Sequence, residues 1–249
     1  MELPRGDHDD AYQAHGRAWS PARADVDGLL RAARHVESYP IYYGSNHTFL
    51  VTVCSPAGDL SLAVYKPARG EYPLHDFPSG TLYRREVATW HLDRLLGWTN
   101  VPPTVVSTGE YGPGSLQLYI DGRETMEIEI GALRRVAILD FLANNADRKL
   151  EHCLPDQEGH IWAIDHGLTF HVQPKLRTFL WHFAGSPLTR SERRHLEGAA
   201  HGLIHADHGD AIRELLSAPE WSALRQRIER VLDAGRLPDP RYKPVPYRW

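Results

Sequence analysis

The most informative segment of this chain is NNADRKLEHCLPDQEGHIWAIDHG, residues 144–167. In it, Asp147 lies in a polar loop after a helical pattern, and Asp165 follows a short apolar run that predicts a strand. Two short strands around a turn at 156–159 separate the two aspartates, so both carboxylates can face one cleft. A pair of carboxylates in a cleft suits proton transfer and metal binding.

A lysine upstream of this segment extends the pattern. Lys66 ends a strand predicted over 60–66, and Val64 shares its face because side chains along a strand alternate. Only four of the 28 basic residues are lysines, so Lys66 is retained in a chain that otherwise uses arginine. A compact ammonium and a flat guanidinium are different groups, which makes that choice informative.

Glu86 lies on the helix that follows this strand. Periodicity predicts the helix over 81–96, with Thr81 as its N-cap, a buried apolar stripe and Gly97 at its end. Taken alone, a glutamate on a helix, a strand-end lysine and a loop aspartate are each most often solvated surface features. Their order along the chain makes them informative together.

Lysine on a strand, glutamate on the next helix, aspartate in a loop and Asp-x-Gly after a strand follow the order used for phosphoryl transfer in protein-kinase-like folds. In that chemistry the lysine holds the α- and β-phosphates of a nucleotide, and the glutamate orients the lysine. The carboxylate of Asp-x-Gly binds a metal ion, and the loop aspartate receives or orients the acceptor hydroxyl. The pattern therefore favours a nucleotide-dependent phosphotransferase.

The blocks around these residues resemble the bacterial phosphatidylinositol 3-/4-kinase-like family, whose distant relatives are the HipA kinases and the protein kinases. The aspartate-arginine block and the Asp-x-Gly block carry most of the resemblance. The blocks are LAVYKP at 62–67, RGE at 69–71, PLHDFP at 73–78, GTLYRRE at 80–86, WTNVPPT at 98–104, NNADRK at 144–149, IDHG at 164–167 and KLRT at 175–178.

The resemblance implies a role for each residue of the central pattern. Lys66 would hold the α- and β-phosphates, with Glu86 as its partner. Asp147 would be the catalytic aspartate, and Arg148 follows it as a further catalytic residue in an Asp-Arg-Lys variant of the family's Asp-Arg-His. Asp165 would be the main metal ligand.

The nucleotide side of the cleft follows from the same resemblance. Gln117 to Tyr119 resemble the hinge that meets the adenine. Strand periodicity places Val64 over the adenine ring, since it shares a face with the predicted phosphate-binding lysine. The phosphate-covering loop at 43–48 is YGSNHT, with one glycine, and Ser45 and backbone N–H groups would hold phosphate there.

His152 is a departure from the family pattern. It falls five residues after Asp147, where the family usually has a metal-binding asparagine. Imidazole is a poorer ligand for Mg²⁺ than oxygen is, and it suits Mn²⁺ better. We therefore expect ATP with Mg²⁺ or Mn²⁺, and either a preference for Mn²⁺ or one metal ion in place of two. In the alternative interpretation His152 only packs within the loop.

Strand patterns precede helical patterns along the chain, which predicts an α+β protein with two lobes. The resemblance implies a protein-kinase-like fold, with a β-rich N-lobe that carries one main helix and a compact, mostly helical C-lobe. The predicted parts are a flexible tail over 1–22, the N-lobe over 23–121, the C-lobe over 122–235 and a proline-rich tail over 236–249.

Composition excludes several other classes of protein. The chain is 42% hydrophobic and 24% charged, as in a globular protein, and its net charge of −4 does not favour a nucleic-acid partner. No apolar run reaches the ~18 residues that span a bilayer, and the N-terminus shows no signal-peptide pattern. Two cysteines cannot form a disulfide framework, so we expect a cytoplasmic protein.

We expect an ATP- and metal-dependent kinase that transfers phosphate to a hydroxyl of a soluble protein or a small molecule. Two alternatives stay open: a nucleotide-binding pseudokinase with a regulatory role, and an enzyme that transfers AMP on the same fold. A further cluster, formed by His201, His205 and His208, is interpreted as surface or helix-end histidines because no strong carboxylate or cysteine pattern accompanies it.

Overall fold

Five antiparallel strands form a sheet in the N-terminal half of the computed structural model, which describes residues 19–42, 46–122 and 128–246. The strands are β1 (Arg34–Ile41), β2 (Thr48–Cys54), β3 (Leu60–Pro67), β4 (Thr104–Gly109) and β5 (Gly112–Leu118). Their order across the sheet is β1-β2-β3-β5-β4. The strand predicted to end at Lys66 is therefore the central one, paired on both sides.

The alternation of side chains gives this sheet two different faces. On β2, Phe49, Val51 and Val53 belong to a core that helix α1 (Val26–Ala32) covers. Tyr65 on β3 points into the same core. Lys66 is its neighbour and so points to the opposite face, toward the helical half of the molecule.

Helix α2 (Leu82–Leu95) lies between the sheet and the helical half, and it is buried nearly all round. Burial of this helix extends beyond the predicted apolar stripe to charged residues: Arg85 and Glu86 are only 1% and 3% exposed. Thr81 occupies the N-cap position, but its hydroxyl donates to the Pro78 carbonyl, so its predicted capping bond is absent. Instead, the Glu71 carboxylate accepts the Tyr83 N–H at 3.0 Å, a contact between distant positions that local sequence rules do not reveal.

In the described residues, the helical half begins with a 3-10 turn, Ile130–Leu133, and continues through four α-helices and a two-stranded sheet. Leu92 and Leu96, from α2 and its end, join the core of this half. The α2 helix is therefore packed more against helices than against the sheet. The elements are α3 (Arg134–Ala143), β6 (Cys153–Pro155), β7 (Ile161–Ala163), α4 (Arg190–His205), α5 (Asp207–Leu215) and α6 (Ala218–Ala234).

One hydrogen-bonded contact lies within the helical half, and another joins this half to α2. Thr189 and Glu192 form a reciprocal capping box at the start of α4. His208, at the start of α5, lies with its Nδ1 atom 2.7 Å from Nδ1 of His91, so this contact joins α5 to α2.

The predicted α+β fold class, with a sheet-rich first half and a helical second half, is confirmed. The predicted boundaries of lobes and tails stay predictions. Among the described residues, no helix has the length and apolar content needed to cross a membrane.

Candidate active site

Three elements meet at the ammonium group of Lys66. Its Nζ atom lies 2.5 Å from Glu86 Oε1 on α2 and 3.0 Å from Asp165 Oδ1 in the turn after β7. Glu86 is 3% exposed, whereas the Lys66 and Asp165 side chains are 25% and 48% exposed. The group therefore has a buried end at Glu86 and an open end at Asp165.

The charges in this group control one another. Burial lowers the pKa of Lys66, but the carboxylates of Asp165 and Glu86 outweigh it and raise that pKa above its ordinary value. The Lys66 ammonium in turn holds the pKa of Asp165 far below its ordinary value, against the effect of burial. At neutral pH the site is thus a fixed cation beside a fixed anion.

The backbone of Asp165 is held in an unusual conformation. Its φ angle is +60°, in the left-handed region that residues other than glycine seldom adopt. The next residue anchors it, because the N–H of His166 donates to Glu86 Oε2 at 2.8 Å and the His166 carbonyl accepts from Thr169 Oγ1 at 2.8 Å. Glu86 therefore fixes both Lys66 and the turn that carries Asp165.

Asp147 lies in the loop that follows α3. The loop starts at Asn144, whose φ of +55° ends the helix. The side-chain oxygen of Asn145 accepts the Asp147 N–H at 3.0 Å. Burial raises the pKa of Asp147, although the Lys149 ammonium, 3.3 Å from Asp147 Oδ2, works against this shift. The carboxylate is therefore a stronger base than a solvated aspartate.

Arg148 points into the protein and away from the cleft. Its side chain is 0% exposed and holds Asp140 on α3 with two contacts, Nε to Oδ2 at 2.9 Å and Nη2 to Oδ1 at 3.1 Å. Its Nη1 donates to the Ile164 carbonyl at 2.7 Å, and its Nη2 contacts His166 Nε2 at 2.7 Å. These contacts join the Asp147 loop to the Asp165 turn.

His152 lies beside Asp165, with 3.3 Å between Nε2 and Oδ2. Burial lowers the pKa of His152 to about 4, so the ring is neutral at physiological pH and keeps a lone pair for a metal ion. In the described parts of the chain no three His, Cys, Asp or Glu side chains are grouped to hold an ion. One carboxylate and one neutral imidazole nevertheless fit an ion that takes its other ligands from phosphate oxygens and water.

Two of the residues predicted for nucleotide contact, Val64 and Gln117, share the sheet face that carries Lys66. Val64 is half-buried and pairs with Gln117 across β3 and β5. The Gln117 amide donates to Thr104 Oγ1 at 2.9 Å, and the Tyr119 N–H donates to the Leu62 carbonyl at 3.1 Å. Their predicted roles at the adenine stay predictions. Ser45 lies outside the described residues.

Sequence reasoning missed three residues that the structure brings to this site: Asp140, Lys149 and His166. Asp140 is an acidic residue inside the apolar stripe of a predicted helix, and that anomaly was its signal. Lys149 was marked by the scarcity of lysine. Nothing in the local sequence indicates that the His166 ring is buried against Arg148.

Comparison with known proteins begins with Protein Rv2133c of Mycobacterium tuberculosis. It is 35% identical over 265 aligned positions, which cover 89% of this chain and 92% of that protein. The chain belongs to the Rv2133c family. No family model matches it.

A second relative is phosphatidylinositol 4-kinase gamma 4 of Oryza sativa subsp. japonica. It is 28% identical over 218 positions, 71% of this chain, and the match spans 38% of the rice protein's length. This similarity does not extend the Rv2133c family to the phosphatidylinositol kinases, so the predicted membership of a bacterial phosphatidylinositol 3-/4-kinase-like family stays a prediction.

Comparison with solved structures shows the fold of this chain. The crystal structure of the Golgi casein kinase with Mn/ADP bound is similar over 88% of this chain and 80% of that one, with a TM-score of 0.58 and 15% identity. The structure of hydra Fam20 with sugar covers 84% of this chain and 86% of that one, with a TM-score of 0.51 and 17% identity. The fold is therefore kinase-like.

Proposed function

We propose that this protein is an ATP- and divalent-metal-dependent phosphotransferase that acts on a hydroxyl of a soluble protein or a small molecule. The observation that carries the proposal is Lys66 Nζ, which lies 2.5 Å from Glu86 and 3.0 Å from Asp165. A strand lysine placed by a buried helix glutamate, beside an exposed carboxylate, is the arrangement that phosphoryl transfer requires. The kinase-like fold supports this interpretation.

Lys66 would bind the α- and β-phosphates of ATP. Its ammonium is already oriented by Glu86, so binding phosphate would require little further ordering. The open end of the group matters equally, because phosphate oxygens can replace Asp165 as a partner of Lys66 without disturbing Glu86.

Asp165 and His152 would hold the metal ion, which when bound neutralises charge on the phosphate oxygens. Their donor set mixes an anionic oxygen with a neutral nitrogen, which suits Mn²⁺ better than Mg²⁺. The Mn/ADP in the Golgi casein kinase structure supports a nucleotide and a metal ion in this fold. We therefore expect higher activity with Mn²⁺ than with Mg²⁺ and a smaller difference in His152→Asn.

Asp147 would accept the proton of the acceptor hydroxyl. Its raised pKa makes it a better base than a solvated aspartate. Lys149, at 3.3 Å, would hold the carboxylate and add positive charge where charge develops on the transferred phosphate. Arg148 would affect the reaction only by holding the Asp147 loop and the Asp165 turn in place, because its contacts are with buried groups.

Thermal unfolding with ATP, ADP, AMP and GTP, each with Mg²⁺, Mn²⁺ or a chelator, tests the nucleotide and metal part. A ligand at a hundred times its dissociation constant adds about 2.7 kcal/mol. For a chain of this length that is about 5–10 °C in the unfolding midpoint. We expect a metal-dependent shift with ATP that Asp165→Ala abolishes, and no shift with any nucleotide would refute the proposal.

Mass spectrometry of the protein after incubation with ATP tests the transfer step. A phosphate-sized increase on hydroxyl side chains, lost in Asp147→Ala, is the expected result. An AMP-sized increase would indicate nucleotidyl transfer. Binding of ATP with equal, background turnover in the wild type and in Asp147→Ala would indicate a pseudokinase.

A further inference from the structure

The imidazole of His166 lies between Arg148 and Glu86. One of its two ring nitrogens has a hydrogen-bond partner and the other has none among the described residues. The side chain is 0% exposed. Its Nε2 lies 2.7 Å from Arg148 Nη2, and its Nδ1 has no hydrogen-bond partner among the described residues. Glu86 Oε2 lies 4.0 Å from that Nδ1.

Arg148 determines which nitrogen of His166 carries the proton. A guanidinium N–H can only donate, so Nε2 has to offer its lone pair, and a neutral ring must then carry its hydrogen on Nδ1. A doubly protonated ring would set two N–H groups against each other at 2.7 Å.

The resulting Nδ1–H donor faces the carboxylate that orients Lys66. Glu86 Oε2 already accepts the backbone N–H of His166 at 2.8 Å. Closing the 4.0 Å gap by about an ångström would bring the ring N–H into hydrogen-bond range as well. An unpaired buried donor costs free energy, so the site gains from that closure.

We propose that His166, as its Nδ1–H tautomer, is a positioning residue that couples the buried Arg148–Asp140 pair to the Glu86–Lys66 pair. When Lys66 exchanges Asp165 for phosphate, the ring N–H closes on Glu86 Oε2 and holds that carboxylate in the position that orients Lys66. This role rests on the proposed function, because it assigns His166 the task of keeping Lys66 in place for ATP.

Two substitutions separate hydrogen bonding from shape. His166→Phe keeps a ring of similar size without donor or acceptor. His166→Gln keeps both an acceptor for Arg148 and a donor for Glu86. His201→Phe, at an exposed position on α4, is the matched control for replacing a histidine by phenylalanine.

The kinetic test measures kcat and KM for ATP in these variants, with autophosphorylation or ATP hydrolysis as the readout. We expect His166→Phe to lower kcat/KM by at least about tenfold, the scale of one lost hydrogen bond to a charged group. His166→Gln should recover most of it, and His201→Phe should match the wild type. A folded His166→Phe with wild-type kcat/KM, or a folded His166→Gln no better than His166→Phe, would overturn the proposal.

Isotope-labelled imidazole NMR of the wild-type protein tests the tautomer without any activity. The His166 signals are assigned by their absence in His166→Gln, or, if the variants do not fold, by selective labelling. A neutral ring protonated at Nδ1 is expected, and an Nε2–H tautomer or a charged ring would overturn the proposal. A wild type without nucleotide binding or turnover would instead refute the proposed function, so the two failures are distinguishable.

Discussion

The Lys66–Glu86–Asp165 group and the Arg148–Asp140 pair both join a cation to carboxylates at 2.5–3.1 Å, but their surroundings differ. Arg148 and Asp140 are both 0% exposed. Asp165, in contrast, is 48% exposed and Lys66 is 25% exposed. The lengths of the contacts are alike, so accessibility is what distinguishes the two groups.

Accessibility determines what each group can do. A fully buried pair has no competing partner, and breaking it leaves a charge without water or counter-ion. A half-open group can exchange a carboxylate for phosphate, because the incoming anion replaces the charge that leaves. The comparison gives Arg148 and Asp140 a structural role, and it shows that Lys66 and Asp165 have the accessibility that their proposed ligand-binding role requires.

Removal of one partner from the buried pair should give the largest loss of stability. Asp140→Ala leaves the Arg148 guanidinium buried without its carboxylate, which costs about 3–5 kcal/mol in comparable sites. Urea denaturation measures this free energy of unfolding. Asp140→Asn is the control, since it keeps an acceptor oxygen and should lose less. A loss within the about 0.5 kcal/mol typical of surface substitutions would contradict the distinction.

Lys66→Met should instead separate activity from stability. We expect turnover of ATP to fall by at least about a hundredfold, as when one charge-stabilising donor is removed. The free energy of unfolding should fall less than in Asp140→Ala, because Glu86 keeps the His166 N–H and Asp165 is half exposed. Lys66→Arg is the matched variant: it keeps the charge and the stability but not the compact ammonium. Equal destabilisation by Lys66→Met and Asp140→Ala would contradict the distinction between the buried Arg148–Asp140 pair and the half-open Lys66 group.

The pH dependence of the stability of Asp147→Asn tests the environment of Asp147. Burial raises the pKa of Asp147 above its ordinary 3.8, so the folded protein binds this proton more tightly than the unfolded chain does. Stability from this group is therefore present below the ordinary pKa and is lost as pH rises through the folded pKa. We expect Asp147→Asn to be inactive yet at least as stable as the wild type at neutral pH.

The stability difference between Asp147→Asn and the wild type should shrink as the pH falls below the ordinary aspartate pKa of 3.8, since Asp147 is then protonated in both the folded and the unfolded state. Unfolding midpoints of the two proteins across this acid range provide the measurement. A variant that is less stable than the wild type at neutral pH, with a deficit that vanishes as the pH falls, would show the opposite sign.

The smallest effect should come from the ion pair between Lys175 and Asp76, which joins the segment after Asp165 to the loop before α2 at 2.8 Å. Its side chains are 31% and 44% exposed, and such surface pairs contribute about 0.2–1 kcal/mol. Asp76→Ala should lower the free energy of unfolding within this range, and less at high salt. A loss as large as that of Asp140→Ala would show that exposure does not rank these pairs.

Local patterns predicted several elements well. The strand that carries Lys66 and the helix that carries Glu86 lie close to their predicted places because alternation and helical spacing depend on residues near in sequence. The structure also brings Lys66, Glu86 and Asp165 together. Their catalytic and metal-binding roles stay predictions.

Contacts between distant positions were not predictable in this way. Thr81 stands where a helix cap belongs, yet Glu71 makes the capping contact, because the loop before α2 folds back onto it. Arg148 follows the predicted catalytic aspartate, yet its side chain turns inward to Asp140 and His166. In both cases a partner far along the chain competes successfully with the local one.

The amino-acid sequence alone was sufficient for the fold class and for the identity and order of the charged residues, because each depends on short-range spacing and on residue type. The exposure of each charged side chain could not be predicted from the sequence, because burial depends on packing between segments that are distant in the chain. It is burial that separates Arg148 from Lys66 and raises the pKa of Asp147. The electrostatics of this site therefore arise from tertiary packing, acting on residues that local patterns had already marked.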